Sequence, residues 1–167
     1  MLTIIQSMKE LDFGQLMTVY EEGNLENAQE FYPELPRNQQ YLRAEQDFYQ
    51  YLRECFFKTE GAFYAIWQEK GKYVSALRLE PYRDGLLLEA LETAPDQRGK
   101  GYAVALIRAI LQLEQVEKVY AHVHKKNIPS LRTHESCGFR RILEYAVYID
   151  GSVKNNACTF CYEKTTH

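Results

Sequence analysis

The chain has 167 residues, 46% of them hydrophobic and 26% charged, which suits one globular domain over 1–167 and excludes a disordered, collagen-like or low-complexity chain. Its net charge of −3 argues against a nucleic-acid binder working by bulk electrostatics. No apolar run approaches the ~18 residues of a membrane span, and the start MLTIIQSMKE lacks the basic-then-apolar pattern of a secretory signal, so the cytoplasm is the expected compartment, away from any membrane.

Residues 2–7 read as a first strand. Asp12 opens a helix with Gln15 as its capping-box partner, and Phe13, Leu16, Met17 and Tyr20 follow at helical spacing. Gly23-Asn24 is expected to interrupt it, with Leu25, Ala28 and Tyr32 resuming the period up to Pro33. Asn38 is the expected cap of a second long helix, whose face carries Tyr41, Glu45, Phe48, Leu52 and Cys55. After Gly61 the pattern turns to strands. Residues 63–67 and 73–80 form a hairpin around Lys70-Gly71, and 86–93 make the next strand. A helix over about 101–115 places Ala103, Leu106, Ile107, Ile110 and Leu111 on one face, and 118–123 is a strand. This βαβ unit predicts a right-handed crossover between parallel strands. Residues 128–137 form a shorter helix with Pro129 in its first turn and Gly138 as its C′ residue. Two further strands, 142–149 and 157–163, flank an Asp150-Gly151 turn.

The charge is unevenly spread. Residues 1–60 hold 5 basic and 11 acidic side chains, whereas residues 96–141 hold 9 basic and 4 acidic ones. The basic window is either a solvated face or the binding surface for a phosphorylated ligand. Of the four cysteines, Cys158 and Cys161 form a CxxC, and His122 and His124 an HxH. Both pairs lie in strands. Residues three apart in a strand point to opposite faces, so a zinc site is not expected and no metal is predicted.

The informative segment is Arg98-Gly99-Lys100-Gly101-Tyr102-Ala103, between a strand end and an amphipathic helix. Its glycines permit a tight turn and close ligand approach. The helix start offers unpaired N–H groups and the positive end of a dipole, and Arg98 and Lys100 add charge. These are the elements of a pyrophosphate site. A Walker A loop is excluded because Ala94 and Gly101 stand where it needs Gly and Ser or Thr. A dinucleotide fingerprint fails at Val104, which replaces its third glycine.

Arg98, Gly101 and Ala103 instead satisfy R/Q-x-x-G-x-G/A, with Leu91 to Pro95 before them. Asn127-Ile128-Pro129-Ser130 and Cys137-Gly138-Phe139 follow as a second block. Over about residues 86–140 the chain resembles the GCN5-related N-acetyltransferase (GNAT) family. The resemblance implies an α/β fold of mixed α+β type, with a mostly antiparallel sheet, one parallel strand pair and about four flanking helices. It implies acetyl-CoA as acyl donor and transfer to a primary amine of a small molecule or peptide. The pyrophosphate would lie on Arg98, Gly99, Lys100, Gly101, Tyr102 and Ala103, and the pantetheine arm on Leu91, Glu92, Thr93, Asn127 and Ser130. A homodimer is a candidate assembly. Residues 1–60 would form the acceptor side, and their acidic excess suits a cationic acceptor.

Acyl transfer to an amine needs a group to take the amine proton and one to accommodate the thiolate. Glu89 is the favoured base, with Glu92 the other carboxylate of its strand. A regular strand puts them on opposite faces, and the bulge the family often carries there would change that phase. For the acid, the family often places a Tyr four residues before the Gly of Gly-Phe, where this chain has His134. His134 is either that acid or a plain helix histidine, with Ser130 and Tyr145 as reserves. Cys137 reads as a packed thiol. The departure at His134 keeps a second reading open, a non-catalytic acyl-CoA sensor of the same fold.

Overall fold

The computed structural model describes residues 1–166. Nine strands and five α-helices follow in the order β1 (Leu2–Ile5), α1 (Phe13–Val19), α2 (Glu21–Phe31), α3 (Arg37–Glu54), β2 (Phe63–Glu69), β3 (Lys72–Tyr82), β4 (Gly85–Thr93), α4 (Tyr102–Leu111), β5 (Lys118–His124), α5 (Ile128–Ser136), β6 (Arg140–Leu143), β7 (Ala146–Val147), β8 (Val153–Lys154) and β9 (Ala157–Glu163). Seven strands form one sheet in the order β1-β2-β3-β4-β5-β9-β6. Among the described residues only β4 and β5 run parallel, as the crossover through α4 requires. The mixed sheet and its one parallel pair match the expected fold class, with five helices in place of about four.

Both faces of the sheet bury apolar side chains. On the first, Leu106, Ile107 and Ile110 of α4 pack against Leu77, Leu79, Leu88, Val119 and Ala121. Each such aliphatic side chain contributes about 1.5–3 kcal/mol by leaving water. On the other face, Leu16, Met17 and Tyr20 of α1 and its C-terminal boundary, with Leu52 of α3, cover Tyr64, Ile66 and Ala76. The N-terminal segments are thereby fixed over β2 and β3.

Local chemistry explains the boundaries, including those the sequence reading misplaced. Asp12 caps α1 by accepting the Gln15 N–H at 3.1 Å. The break after α1 falls at Tyr20 and not at Gly23-Asn24, which lie inside α2. Gly23 is tolerated there because an added Cβ would meet Glu92 Oε1 at 2.7 Å. The α3 helix starts at Arg37 after Pro36, whose carbonyl accepts from Gln39 and Gln40, so Asn38 lies in the first turn and not at the cap. Cys55 follows the last residue of α3 and is exposed. The α4 helix ends at Leu111, beyond which Gln112 and Leu113 tighten into i→i−3 bonds at 3.2 Å. The expected strand 142–149 is two pieces: β6 pairs with β9, and β7 folds onto β8 in a separate hairpin around Asp150-Gly151. No helix among the described residues is long and apolar enough to cross a membrane.

Candidate active site

The site begins where the parallel pair comes apart. The strands β4 and β5 are in register only at Leu86↔Val119, Leu87↔Tyr120 and Leu88↔Ala121. Beyond these, β4 continues to Thr93 and β5 to His124 without pairing to each other. The edge of β4 from Glu89 to Thr93 therefore faces this opening with ladder positions that no neighbouring strand uses.

A bulge sits at the same place. Ala76 pairs with Glu92 and Arg78 with Glu89, so two steps along β3 match three along β4. Ala90 carries the extra residue with a φ of 51°. The consequence is a change of phase: Leu88 and Leu91 both pack on the α4 side, and Glu89 and Glu92 share the opposite face. The Tyr20 hydroxyl donates to the Ala90 carbonyl and itself accepts from Tyr64 Oη at 3.0 Å. A buried tyrosine pair thus holds the bulge from the helical side.

A groove of about 580 Å³ runs from this opening to the start of α4. Leu91, Glu92 and Thr93 form its inner wall, and Arg98, Gly99, Gly101, Tyr102 and Ala103 its far end. Gly99 and Gly101 have φ values of 75° and 80°, which L side chains rarely adopt, and no atom lies within 4 Å of where their Cβ would sit. The first α4 ladder bond runs from Ala105 N to Gly101 O, leaving the N–H groups of Tyr102, Ala103 and Val104 ahead of the ladder. Arg98 is braced by the Thr93 carbonyl at 3.3 Å and by Glu22 at 2.8 Å. Asn127 and Ser130 close the other side, with Asn127 Oδ1 accepting the Ser130 N–H at 3.2 Å as the cap of α5. Lys100 is outside the lining and donates to Gln97 at 3.0 Å. Glu22 and Glu26 of α2 line the groove as well, a contribution the sequence reading missed because no motif marks them.

A second cavity of about 660 Å³ lies between α2, α3 and the sheet, with Tyr20, Phe31, Tyr32, Phe48 and Tyr51 in its wall and Arg78 and Ala90 on its floor. Gly23 and Glu92 belong to both cavities, so the two spaces meet at these residues. Burial raises the Glu92 pKa, with Arg98 opposing and Glu22 and Glu26 adding to the rise. Glu89 lines neither space and stands beside Arg78, at 3.8 Å. Burial, then the Glu80 carboxylate, push its pKa up against the pull of Arg78.

His134 is placed elsewhere. It is 2% exposed on the core side of α5, edge-on to Phe139 with ring centroids 5.3 Å apart. Its Nδ1 lies 2.8 Å from the Ser130 carbonyl oxygen, which can only accept, so the ring proton is assigned to Nδ1. Nε2 is buried without a partner, and burial lowers the pKa. From this position His134 touches neither cavity, whereas Ser130 lines the groove. Tyr145 is exposed beyond β6. Cys158 is buried in the α4-side core and Cys161 packs beside Tyr120 on the other face. Among the described residues no three His, Cys, Asp or Glu side chains cluster as a metal site.

Comparisons with known proteins bear on this arrangement. A family model described as Acetyltransferase (GNAT) family matches residues 23–139. No curated protein matches the chain. Among solved structures it is similar to a Pyrococcus horikoshii protein, PH1933, with a TM-score of 0.67 and 16% identity, covering 99% of this chain and 100% of that one. It is similar to the ribosomal-protein-S18-alanine N-acetyltransferase of Escherichia coli, with a TM-score of 0.62 and 18% identity over 100% and 96% of the two chains. It is similar to a spermidine N-acetyltransferase variant of Vibrio cholerae, with a TM-score of 0.59 and 16% identity over 97% and 93%. At these identities the structures speak for the fold, and the family match speaks for the lineage. The split parallel pair, the glycine cradle before α4 and a match spanning both place the chain in the acetyltransferase (GNAT) family, as an N-acetyltransferase.

Proposed function

We propose that this enzyme moves an acetyl group from acetyl-CoA to a primary amine held in the 660 Å³ cavity, by direct transfer. The observation that carries the proposal is the meeting of two cavities at Glu92. One offers the chemistry of a phosphate site, the other a mostly apolar chamber with a few polar groups, as small-molecule sites usually do.

The groove fits the donor. The open space over Gly99 and Gly101 admits an anion against the backbone, and the free N–H groups of the α4 start point the helix dipole at it. Arg98 is a cation in the lining at that end, and the unused edge of β4 suits the amides of a pantetheine arm. Asn127 and Ser130 border the same arm. When bound, acetyl-CoA supplies an activated thioester, so that an N–C bond forms as C–S breaks, giving an acetamide and the thiol.

Glu92 takes the proton that the amine loses. Burial raises its pKa, which makes its ionised form a stronger base than an exposed carboxylate. Glu89, on the same face behind the bulge, lines neither cavity, and its burial beside Glu80 favours the neutral form, so the proton is assigned to Glu92. Ser130, a residue of the groove lining, is assigned to accommodate the thiolate. The proximity of two bound reactants supplies much of the remaining rate.

The test is thermal shift with acetyl-CoA, CoA, ATP and NAD, followed by thiol release over an amine panel. Stabilisation by acetyl-CoA and CoA alone, about 2.7 kcal/mol at a hundredfold excess over Kd, supports the donor site. Stabilisation by ATP or NAD instead overturns it. Binding of acetyl-CoA without acetylation of any amine favours the acyl-CoA sensor.

A further inference from the structure

Arg78 has no role in the chemistry derived above, yet it forms part of the floor of the acceptor cavity. Its side chain is 13% exposed, and its guanidinium lies over the rings of Phe48, Tyr51 and Phe56 at 5.9, 5.1 and 5.6 Å. These faces orient the charge and give it weak compensation. Its contact with Glu89 is 3.8 Å, beyond hydrogen-bond range, and Nε is buried with no partner. A guanidinium presents five donors in a rigid fork matched to a carboxylate. The neutral Tyr64 hydroxyl beside it adds a polar neighbour but no charge, and a buried arginine so paired is costly unless a further anion reaches it.

The neighbouring carboxylates do not remove this demand. Glu89 has its own Oε1 without a partner. Its burial beside Glu80 favours the protonated, neutral form. Asp47, at the outer wall, is engaged by the Tyr32 hydroxyl and by Arg43 at 3.4 Å. The floor therefore carries a positive group two residues along β3 from Ala76, the partner of Glu92, a step of about 6.8 Å. An amine at Glu92 can then project a carboxylate of its own toward Arg78 and an apolar body toward Phe31, Tyr32 and Phe48.

We infer that the acceptor is a carboxylate-bearing amine of the amino-acid type with a bulky apolar side chain, its carboxylate held by Arg78 on the cavity floor. This rests on the proposed acetyl transfer and narrows its acceptor. It also turns the acidic excess of residues 1–60 away from the cavity floor, since the charge offered there is positive.

The test compares L-phenylalanine with phenethylamine, and L-leucine with isoamylamine, pairs that differ only in the carboxylate. Binding is measured by calorimetry in the presence of CoA, and turnover by thiol release from acetyl-CoA. The amino acids are expected to bind and react at least about tenfold better than the amines, the ratio one charge-assisted hydrogen bond gives. Arg78→Gln should narrow that ratio toward one, chiefly through KM, and Arg78→Lys should retain part of it. The comparison of ligands on the unaltered enzyme stands even where a variant fails to fold. Equal or better binding of the decarboxylated amines overturns the inference and leaves acetyl transfer intact. Binding of the amino acids without acetylation upholds the Arg78 site and defeats the transfer reading. No binding of either member of a pair overturns the inference.

Discussion

Replacing Gly23 by alanine should separate stability from catalysis. Gly23 lies in the first turn of α2, and the Cβ added there would stand 2.7 Å from Glu92 Oε1 and 3.5 Å from its Cδ. Ordinary contact begins near 3.4 Å, so the carboxylate must retreat by roughly 0.7 Å. The atom that gives way is the end of a flexible side chain, so the retreat costs little. Alanine in a helix gains about 0.5–1 kcal/mol over glycine, less in a first turn. At this chain length that is a rise of about 1–3 °C in Tm. Catalysis is less forgiving, because a misplacement of about 1 Å can cost on the order of a hundredfold. Gly23→Ala should therefore melt at or slightly above the wild-type temperature and turn over roughly tenfold more slowly, as read by thermal melting and thiol release with acetyl-CoA and a reacting amine. Unchanged turnover with an intact fold would refute Glu92 as the proton acceptor. A Tm lowered by more than about 4 °C would show that the backbone moved and not the side chain.

Other substitutions probe the remaining links. Glu92→Gln should lower kcat by about 10²-fold or more and abolish the acidic limb of the kcat/KM profile, a limb that rises with pH as the wild-type carboxylate ionises. Because the folded-state pKa of Glu92 is raised, its contribution to stability is present below the unfolded pKa and lost as pH climbs through the folded one. The Tm of Glu92→Gln relative to wild type should therefore grow from pH 4 to pH 8, and a difference that shrinks would contradict the burial argument. Gly101→Ala puts a side chain at φ 80°, which should cost about 1–2 kcal/mol, and fills the cradle, so CoA affinity measured by calorimetry should fall by about tenfold. His134→Leu removes a buried nitrogen without a partner, so melting should show equal or greater stability and turnover should stay within about threefold. A hundredfold loss of turnover in a folded His134→Leu protein would restore the proton-donor role.

Periodic signals were legible where the chain is strongly patterned. The α4 stripe from Leu106 to Leu111 and the Gly138 C′ residue, at φ 90°, sit where spacing and turn chemistry put them, whereas Ala103 lines the groove. The strand 157–163 also appears at its expected limits. The loop from Arg98 to Ala103 was legible for the same reason, since positive φ and an exposed helix start are written in Gly-x-Gly before an apolar stripe. The helix break at Tyr20 was not legible, because Gly23 answers to the Glu92 carboxylate of a distant strand and not to its own helix. Residues 142–149 misled because one apolar run serves two pairings, with β9 and with β8.

By itself, then, the sequence determined the βαβ unit, the glycine cradle and the family, because these rest on local backbone preferences and on residues close together in the chain. Only the tertiary structure decided which carboxylate lies between the two cavities. The bulge at Ala90, held by Tyr20 from another element, puts Glu89 and Glu92 on one face, and packing of α2 leaves Glu92 at the junction of two cavities. It also decided that His134 faces Phe139 and Phe160 in the core, since α5 turns that side inward, and that Arg78 lines the cavity of about 660 Å³ beneath the aromatic wall of α3. Faces and neighbours across a sheet depend on register and packing over the whole chain, which no local pattern encodes.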